Sequence, residues 1–321
     1  MATATSALIP SAEIAAQATR VEGFWGSALR QLTRNKLAVI SAVFIIVLGL
    51  SAIIVPEIYP RTYAEQNYDA ITQGPSREYP MGTDQLGRDI FIRLIFGARI
   101  SLTVGLVVQA VILLIGVPAG LAAGFFGGKV DTVIMRIVDI LYAMPSLLFV
   151  IIIMTYLRGT LNSNPGGFWE YISKIDKATG GLVGVYIGLG LIGWLTVSRI
   201  VRANTLSLKS QDFSTAAESL GASRGRIMFR HLLPNTIAPI VVATTLGIPS
   251  AILSESGISF LGLGVIPPMP SWGLMISESI VSMRSHPYML IFPAMAISLT
   301  VLAFNFLGDG LRDALDPWMK R

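Results

Sequence analysis

Five stretches of this chain run for nineteen residues or more without a single charged side chain. They are residues 37–55, 100–128, 178–198, 232–254 and 287–308. A sixth, 137–157, carries only Asp139. A helix crosses a hydrocarbon core about 30 Å thick with about 20 apolar residues. The six runs therefore predict an all-α transmembrane chain of six spans. Charged residues make up only 13 % of the sequence, where a soluble domain carries about 25 %. That deficit excludes a soluble two-domain enzyme. The 53 % of hydrophobic residues exclude a disordered chain.

The first run is expected to be retained as a helix, because its polar leader is long and no A-x-A cleavage site follows it. The formal net charge is +5. In a soluble protein it would suggest nucleic acid, but here Lys and Arg gather at span ends, so no nucleic-acid partner is expected. Placing both termini inside puts most basic residues on that side, including Arg199, Arg202, Lys209, Arg224, Arg226 and Arg230. The expected orientation is N-in and C-in. The resulting division is a cytoplasmic tail 1–36, expected to be mobile; a first span with an external loop, 37–99; a core, 100–309; and a cytoplasmic tail, 310–321. Residues 89–102 alternate charge with apolar residues and suit an interfacial segment before the second span. The loop 158–177 contains a turn-prone Asn-Ser-Asn-Pro-Gly-Gly run.

Hydrolytic motifs fail. The nearest approach to a phosphate-binding loop ends in Gly128-Lys129-Val130, with Ala123 where the first Gly is required and Val130 where Ser or Thr is required. The two histidines, His231 and His286, fall in loops expected on opposite sides, and there is no cysteine. Ion coupling needs buried ionisable groups. Asp139 is the one candidate, with Arg136 three residues before it as an ion-pair partner.

The loop 199–234 is the place to look for a partner. SQDFSTAAESLGASRGRIMFRHLLPN, 210–235, reads as two short helices about a turn. Ser210 or Asp212 caps the first, or Thr215 with Glu218 forms a capping box. Ala216, Ala217 and Leu220 give it a small apolar face. Gly221 stops it, with Ala222 beyond. Ser223 caps the second, which carries Arg224, Ile227, Arg230 and His231 and ends at Pro234. A short exposed helix with a small-residue face suits a groove on a cytosolic partner; an ordinary basic loop is the alternative.

This loop resembles the coupling loop of ABC importer permeases, whose pattern is E-A-A-x-x-x-G before an apolar and basic stretch and a Pro. Ala216, Ala217 and Gly221 match; Thr215 stands in place of Glu. MGTDQLGRDIFIRLIFGARISL (81–102), DTVIMRIVDILYAMPSLL (131–148), ESGISFLGLGVIPPMPSWGLMI (255–276) and LTVLAFNFLGDGLRDALDP (299–317) are similar to segments of the second permease subunit of the dipeptide, oligopeptide and nickel group. The resemblance covers about residues 30–318. It implies a type I importer permease of the bacterial inner membrane that is not itself an enzyme. Its implied partners are a second permease subunit, cytosolic ATPase subunits, an extracytoplasmic peptide-binding protein and membrane lipid. The chain would bind no cofactor, with ATP and magnesium held by partner subunits. A nickel permease, a proton-coupled carrier using Asp139 and a six-span scaffold remain as alternatives.

Two further groups bear on a path. Gly82, Thr83, Asp84, Gly87, Arg88 and Asp89 form a turn, with Asp84 or Asp89 available to cap the next helix. Ser254 and Glu255, followed by Phe260 and Leu261, stand near the external end of the fifth span as candidate path or gate residues, and a structural bond is the alternative for Glu255. The segment 260–270 is expected to pack on a partner subunit. Gly184 and Gly188 permit a close helix approach, within this subunit or across a seam. Pro118, Pro145, Pro239 and Pro249 predict kinks.

Overall fold

Asn35 accepts the backbone N–H of Ala38 at 3.2 Å and so starts the first long helix. The computed structural model describes residues 24–163 and 166–315, with the side chains of 24 and 25 excepted. Helices α1 (Phe24–Arg34), α2 (Lys36–Ile58), α3 (Ile90–Phe126), α4 (Gly128–Tyr142), α5 (Ser146–Asn162), α6 (Phe168–Ala178), α7 (Val183–Lys209), α8 (Asp212–Ser219), α9 (Arg224–Phe260), α10 (Trp272–Ser279) and α11 (Tyr288–Leu315) follow one another. No strand occurs among the described residues; the turn before α3 holds one isolated bridge, Thr83 to Asp89. Helices α2, α3, α7, α9 and α11 are each long and apolar enough to cross a bilayer, and α4 with α5 reaches that length only as a bent pair, which brings the candidate crossings to six. The six-span all-α expectation holds.

The third crossing is broken. α4 and α5 meet at 92°. Pro145 precedes α5, has no N–H to give, and disfavours helical geometry at Met144. The kink expected there is a full break. By contrast α3 absorbs the stretch 89–102 expected to be interfacial. Its 37 residues make a rod about 55 Å long, too long for the hydrocarbon alone. Arg93 does not lie in an interface: it is 1 % exposed and meets Glu278 at 2.7 Å.

The tails differ from expectation as well. Residues 24–34 form α1, whose Gln31 Nε2 donates to the Asp313 carbonyl at 3.0 Å, and α11 continues to Leu315. The expected mobility of the tail's start, at 1–23, and the last residues, 316–321, lie outside the described residues, as do Asn164 and Pro165 of the turn-prone run.

Helices α3 and α7 touch along a row of glycine. A Cβ on Gly116 would stand 2.9 Å from the Trp194 carbonyl, one on Gly120 2.5 Å from that of Ser198, and one on Gly124 2.7 Å from Thr205 Cβ. Four-residue spacing puts all three on one face. The α7 glycines resolve in favour of packing inside this chain: Gly184 faces Met154 and Gly188 faces Val150, both of α5.

Candidate translocation path and coupling element

Outside the crossings, α3 begins at a charged knot. Asp89 caps it, accepting from Phe91 N at 2.9 Å, and accepts the Tyr59 hydroxyl at 2.7 Å. Asp84 accepts from Leu86 N and Arg88 N with one oxygen and meets Arg88 Nε at 2.6 Å with the other. Glu278 on α10, missed in the sequence, takes Arg88 at 2.9 Å and Arg93 at 2.7 Å. The Asp84 and Asp89 turn is thus structural, and it ties the segment between α2 and α3 to α10. Burial and the bond to Asp89 push the Tyr59 phenol up to about 12. An acid whose folded pKa is raised keeps its proton where the unfolded chain, near pH 10, has lost it. Stability of this knot therefore falls as pH rises from about 10 to about 12. An absorbance titration of the chain minus that of Tyr59→Phe should show its step near pH 12; a step near 10 would contradict the bond.

Between α3, α5, α7 and α9 lies a cavity of about 760 Å³. Its wall is apolar apart from Gln109, Ser146, Thr196, Ser250 and Ser254, and it contains no charged side chain. Ser254, Phe260 and Leu261, named from the sequence, do line it. Glu255 does not. It is fully buried and accepts the Ser259 hydroxyl at 2.6 Å, because at helical spacing it points away from the face that carries Ser254. Asp139 is absent from the wall too. Its partner is Arg199 of α7 at 2.7 Å, not Arg136, and that guanidinium also lies 4.2 Å above the Tyr142 ring. Gln109 and Thr196 lacked any motif to reveal them. The segment 260–270 is tied to its own chain: Arg158 donates to the Leu263 and Gly264 carbonyls at 3.2 and 2.7 Å.

At the other end, α7 leads into the loop. Gln211 is the N-cap of α8 and makes no side-chain bond. Neither Ser210 nor the Thr215–Glu218 box caps it. Thr215 Oγ1 turns back to the Asp212 carbonyl at 3.0 Å, and Asp212 sits in the first turn, where a negative charge suits the helix dipole. Gly221 closes the helix at φ +78°. Its N–H reaches the Glu218 carbonyl at 2.9 Å, and Ala222 N reaches Ala217 at 3.1 Å, the paired bonds of a Schellman turn. Ser223 starts α9, accepting from Arg226 N. Pro234 does not end a helix, as expected, but sits inside α9. Residues Ile227–Leu232 form a π-helical turn. The widened turn lets Leu233 N bond Met228 O and spares Pro234 a donor it lacks. Asn235 Nδ2 satisfies the His231 carbonyl at 2.6 Å.

Ala217 and Ala222 rest on a small core of Phe125 from α3 with Ile227 and Leu232 from α9. The opposite side faces out: Asp212, Thr215, Ala216, Glu218, Arg224 and Arg230 are exposed, and Leu220 is 88 % exposed. α8 is thus a short knob seated on the ends of two spanning helices.

A bundle of spanning helices, four of which line an uncharged cavity, with a charged knot at one end and a projecting knob at the other, defines a helical membrane permease. The family model described as binding-protein-dependent transport system inner membrane component matches residues 116–321; the N-terminal transmembrane domain of oligopeptide transport permease C matches 23–75. The chain belongs to the family of binding-protein-dependent transport system inner membrane components. It is 41 % identical to a dipeptide transport system permease of Alkalihalophilus pseudofirmus over 92 % of this chain and 90 % of that one. It is 39 % identical to an oligopeptide transport system permease of Bacillus subtilis over 97 % of each. A glutathione transport system permease of Escherichia coli is 41 % identical over 92 % of this chain and 91 % of its own length.

Proposed function

We propose that this chain is one of two pore-forming subunits of an ATP-driven importer of short peptides. An extracytoplasmic binding protein delivers the peptide, and cytosolic ATPase subunits holding ATP and magnesium dock on α8. Both termini face the cytoplasm of a bacterial cell. Relatives named for dipeptide, oligopeptide and glutathione transport support the substrate class and do not favour nickel. An uncharged wall also suits cargo whose side chains vary, since backbone-sized polar groups such as Gln109, Thr196 and Ser254 offer bonds without selecting a charge.

One observation carries the mechanism. The core beneath α8 contains Ile227 and Leu232 of α9, and the same helix supplies Ser250, Ser254 and Phe260 to the cavity wall. Displacement of α8 by a closing partner is passed along one continuous helix to the path, a rigid-body route to alternating access. Asp139, bonded to Arg199 and away from the wall, gives a proton-coupled carrier little to work with.

Replacing Gly221 tests this. A Cβ there meets nothing within 4 Å, yet φ is +78°, so Gly221→Asp strains the turn without a clash. Peptide uptake by the assembled complex in vesicles should fall on the order of tenfold, the scale of a coupling free energy of about 1.4 kcal/mol, while assembly persists. Leu220→Asp, which alters only the exposed tip of the knob, should do the same. Normal uptake in both variants would remove the coupling role from α8.

A further inference from the structure

Helix α6 has its polarity turned inside out. Its buried side chains are Ser173 and Asp176, each 6 % exposed. Phe168 and Tyr171 are 70 % and 65 % exposed, and Ile175 is also exposed. A surface helix in water does the reverse, hiding its apolar stripe. Phe168, Tyr171 and Ile175 recur at three- and four-residue steps and share one face. Glu170, Lys174 and Lys177 fall on the flank away from them; Lys174 meets Glu170 at 2.9 Å.

The buried polar pair has a specific task. Ser173 Oγ donates to the Leu161 carbonyl at 2.9 Å, in the last turn of α5. Asp176 accepts from Val183 N at 3.0 Å, the first residue of α7. Helix ends leave such groups without partners. α6 is therefore bonded to the adjacent ends of α5 and α7. α5 itself shows exposed Leu148, Ile152 and Tyr156 at four-residue spacing, so an outward apolar surface climbs the helix to which α6 is attached.

We propose that α6 is an interfacial anchor that lies in the plane of the bilayer surface. Phe168, Tyr171 and Ile175 enter the upper acyl region, and Lys174 and Lys177 reach the anionic phosphates of the headgroups. An aromatic stripe opposite a lysine-bearing flank is the pattern of helices that lie in a membrane interface. The anchor holds one end of α5, whose other end contributes Ser146, Leu147 and Val150 to the cavity wall. The inference needs only that the spans cross a bilayer and is independent of the cargo.

The absence of cysteine makes the test direct. Phe168→Cys, Tyr171→Cys and Lys174→Cys are each spin-labelled in the full chain, in vesicles of phosphatidylethanolamine and phosphatidylglycerol. Collision rates with oxygen, which concentrates in lipid, and with a water-soluble paramagnetic complex are then compared. Labels at 168 and 171 should favour oxygen, and the label at 174 should favour the aqueous complex, inverting the ratio within one helical turn. Three water-favouring labels would overturn the proposal. So would labels at 168 and 171 shielded from both reagents, since protein and not lipid would then cover the stripe. All three positions are exposed, so the labels demand no repacking, and loss of helical circular dichroism identifies any variant that has not folded.

Discussion

Gly120→Val is expected to prevent α3 and α7 from closing, whereas Gly49→Val leaves the fold intact. At Gly120 the first added carbon already stands 2.5 Å from the Ser198 carbonyl and 2.7 Å from Val201 Cβ, both on α7. The obstacle is backbone and a branch point, so no flexible side chain can swing aside. Neighbouring Gly116 and Gly124 meet α7 at 2.9 and 2.7 Å, which prevents a local adjustment from being absorbed within a turn. Overpacking of this kind costs about 3 kcal/mol, and β-branching adds two further methyl groups to place. Small residues are what let spanning helices gain dispersion contacts where no hydrophobic drive separates protein from lipid. At Gly49 a Cβ meets nothing within 4 Å, so Val there changes stability by less than about 0.5 kcal/mol. Thermal unfolding in detergent, followed by circular dichroism, reads both. Equal melting of Gly120→Val and the parent chain would mean the glycine row is not a contact.

Glu278→Ala is expected to be the most damaging single change in the charged knot. Glu278 serves two guanidinium groups at once, Arg88 at 2.9 Å and Arg93 at 2.7 Å. Removing it leaves Asp84 to face both, with Arg93 3.5 Å away. Arg88 and Arg93 are 5 % and 1 % exposed, so neither can recover its hydration without opening the loop. With one carboxylate left for two buried guanidinium groups, breaking the pair costs about 3 kcal/mol. The companion Arg93→Met, placed in the Glu278→Ala background, removes the most deeply buried of the stranded charges and should restore about half of the loss. Unfolding of the four members of this cycle in detergent measures the coupling. Additive losses would show that Arg93 and Glu278 do not depend on each other.

Much of the chain was legible because its signals are local. An uncharged run of sufficient length has few fates besides a crossing, and each of the five falls on one long apolar helix, while the run around Asp139 is split between α4 and α5. Gly221 and Ser223 were recognisable for the same reason: a left-handed closing residue and an N-cap act on carbonyls and amides a few positions away. Where two local rules competed, reading them in isolation failed. Pro234 carries a stop signal, yet the π-turn before it removes the demand for its missing N–H. Pro145 carries the same signal, has no such accommodation, and breaks the crossing.

The sequence by itself determined six crossings, an all-helical fold, the short knob at Asp212–Ser219 and the family to which the chain belongs. The crossings, the helical fold and the knob follow from composition or spacing within a few turns of helix; the family follows from the resemblance of its motifs. Only the tertiary structure decided which faces meet. It matched Arg93 with Glu278 across 185 positions, gave Asp139 to Arg199 instead of its near neighbour Arg136, and turned Ser254 to the cavity while its neighbour Glu255 was buried. Such choices depend on the rotation of each helix about its axis and on its height in the bundle. Those are set by packing between distant segments, chiefly the glycine row of α3 against α7, and no periodicity within a single helix records them.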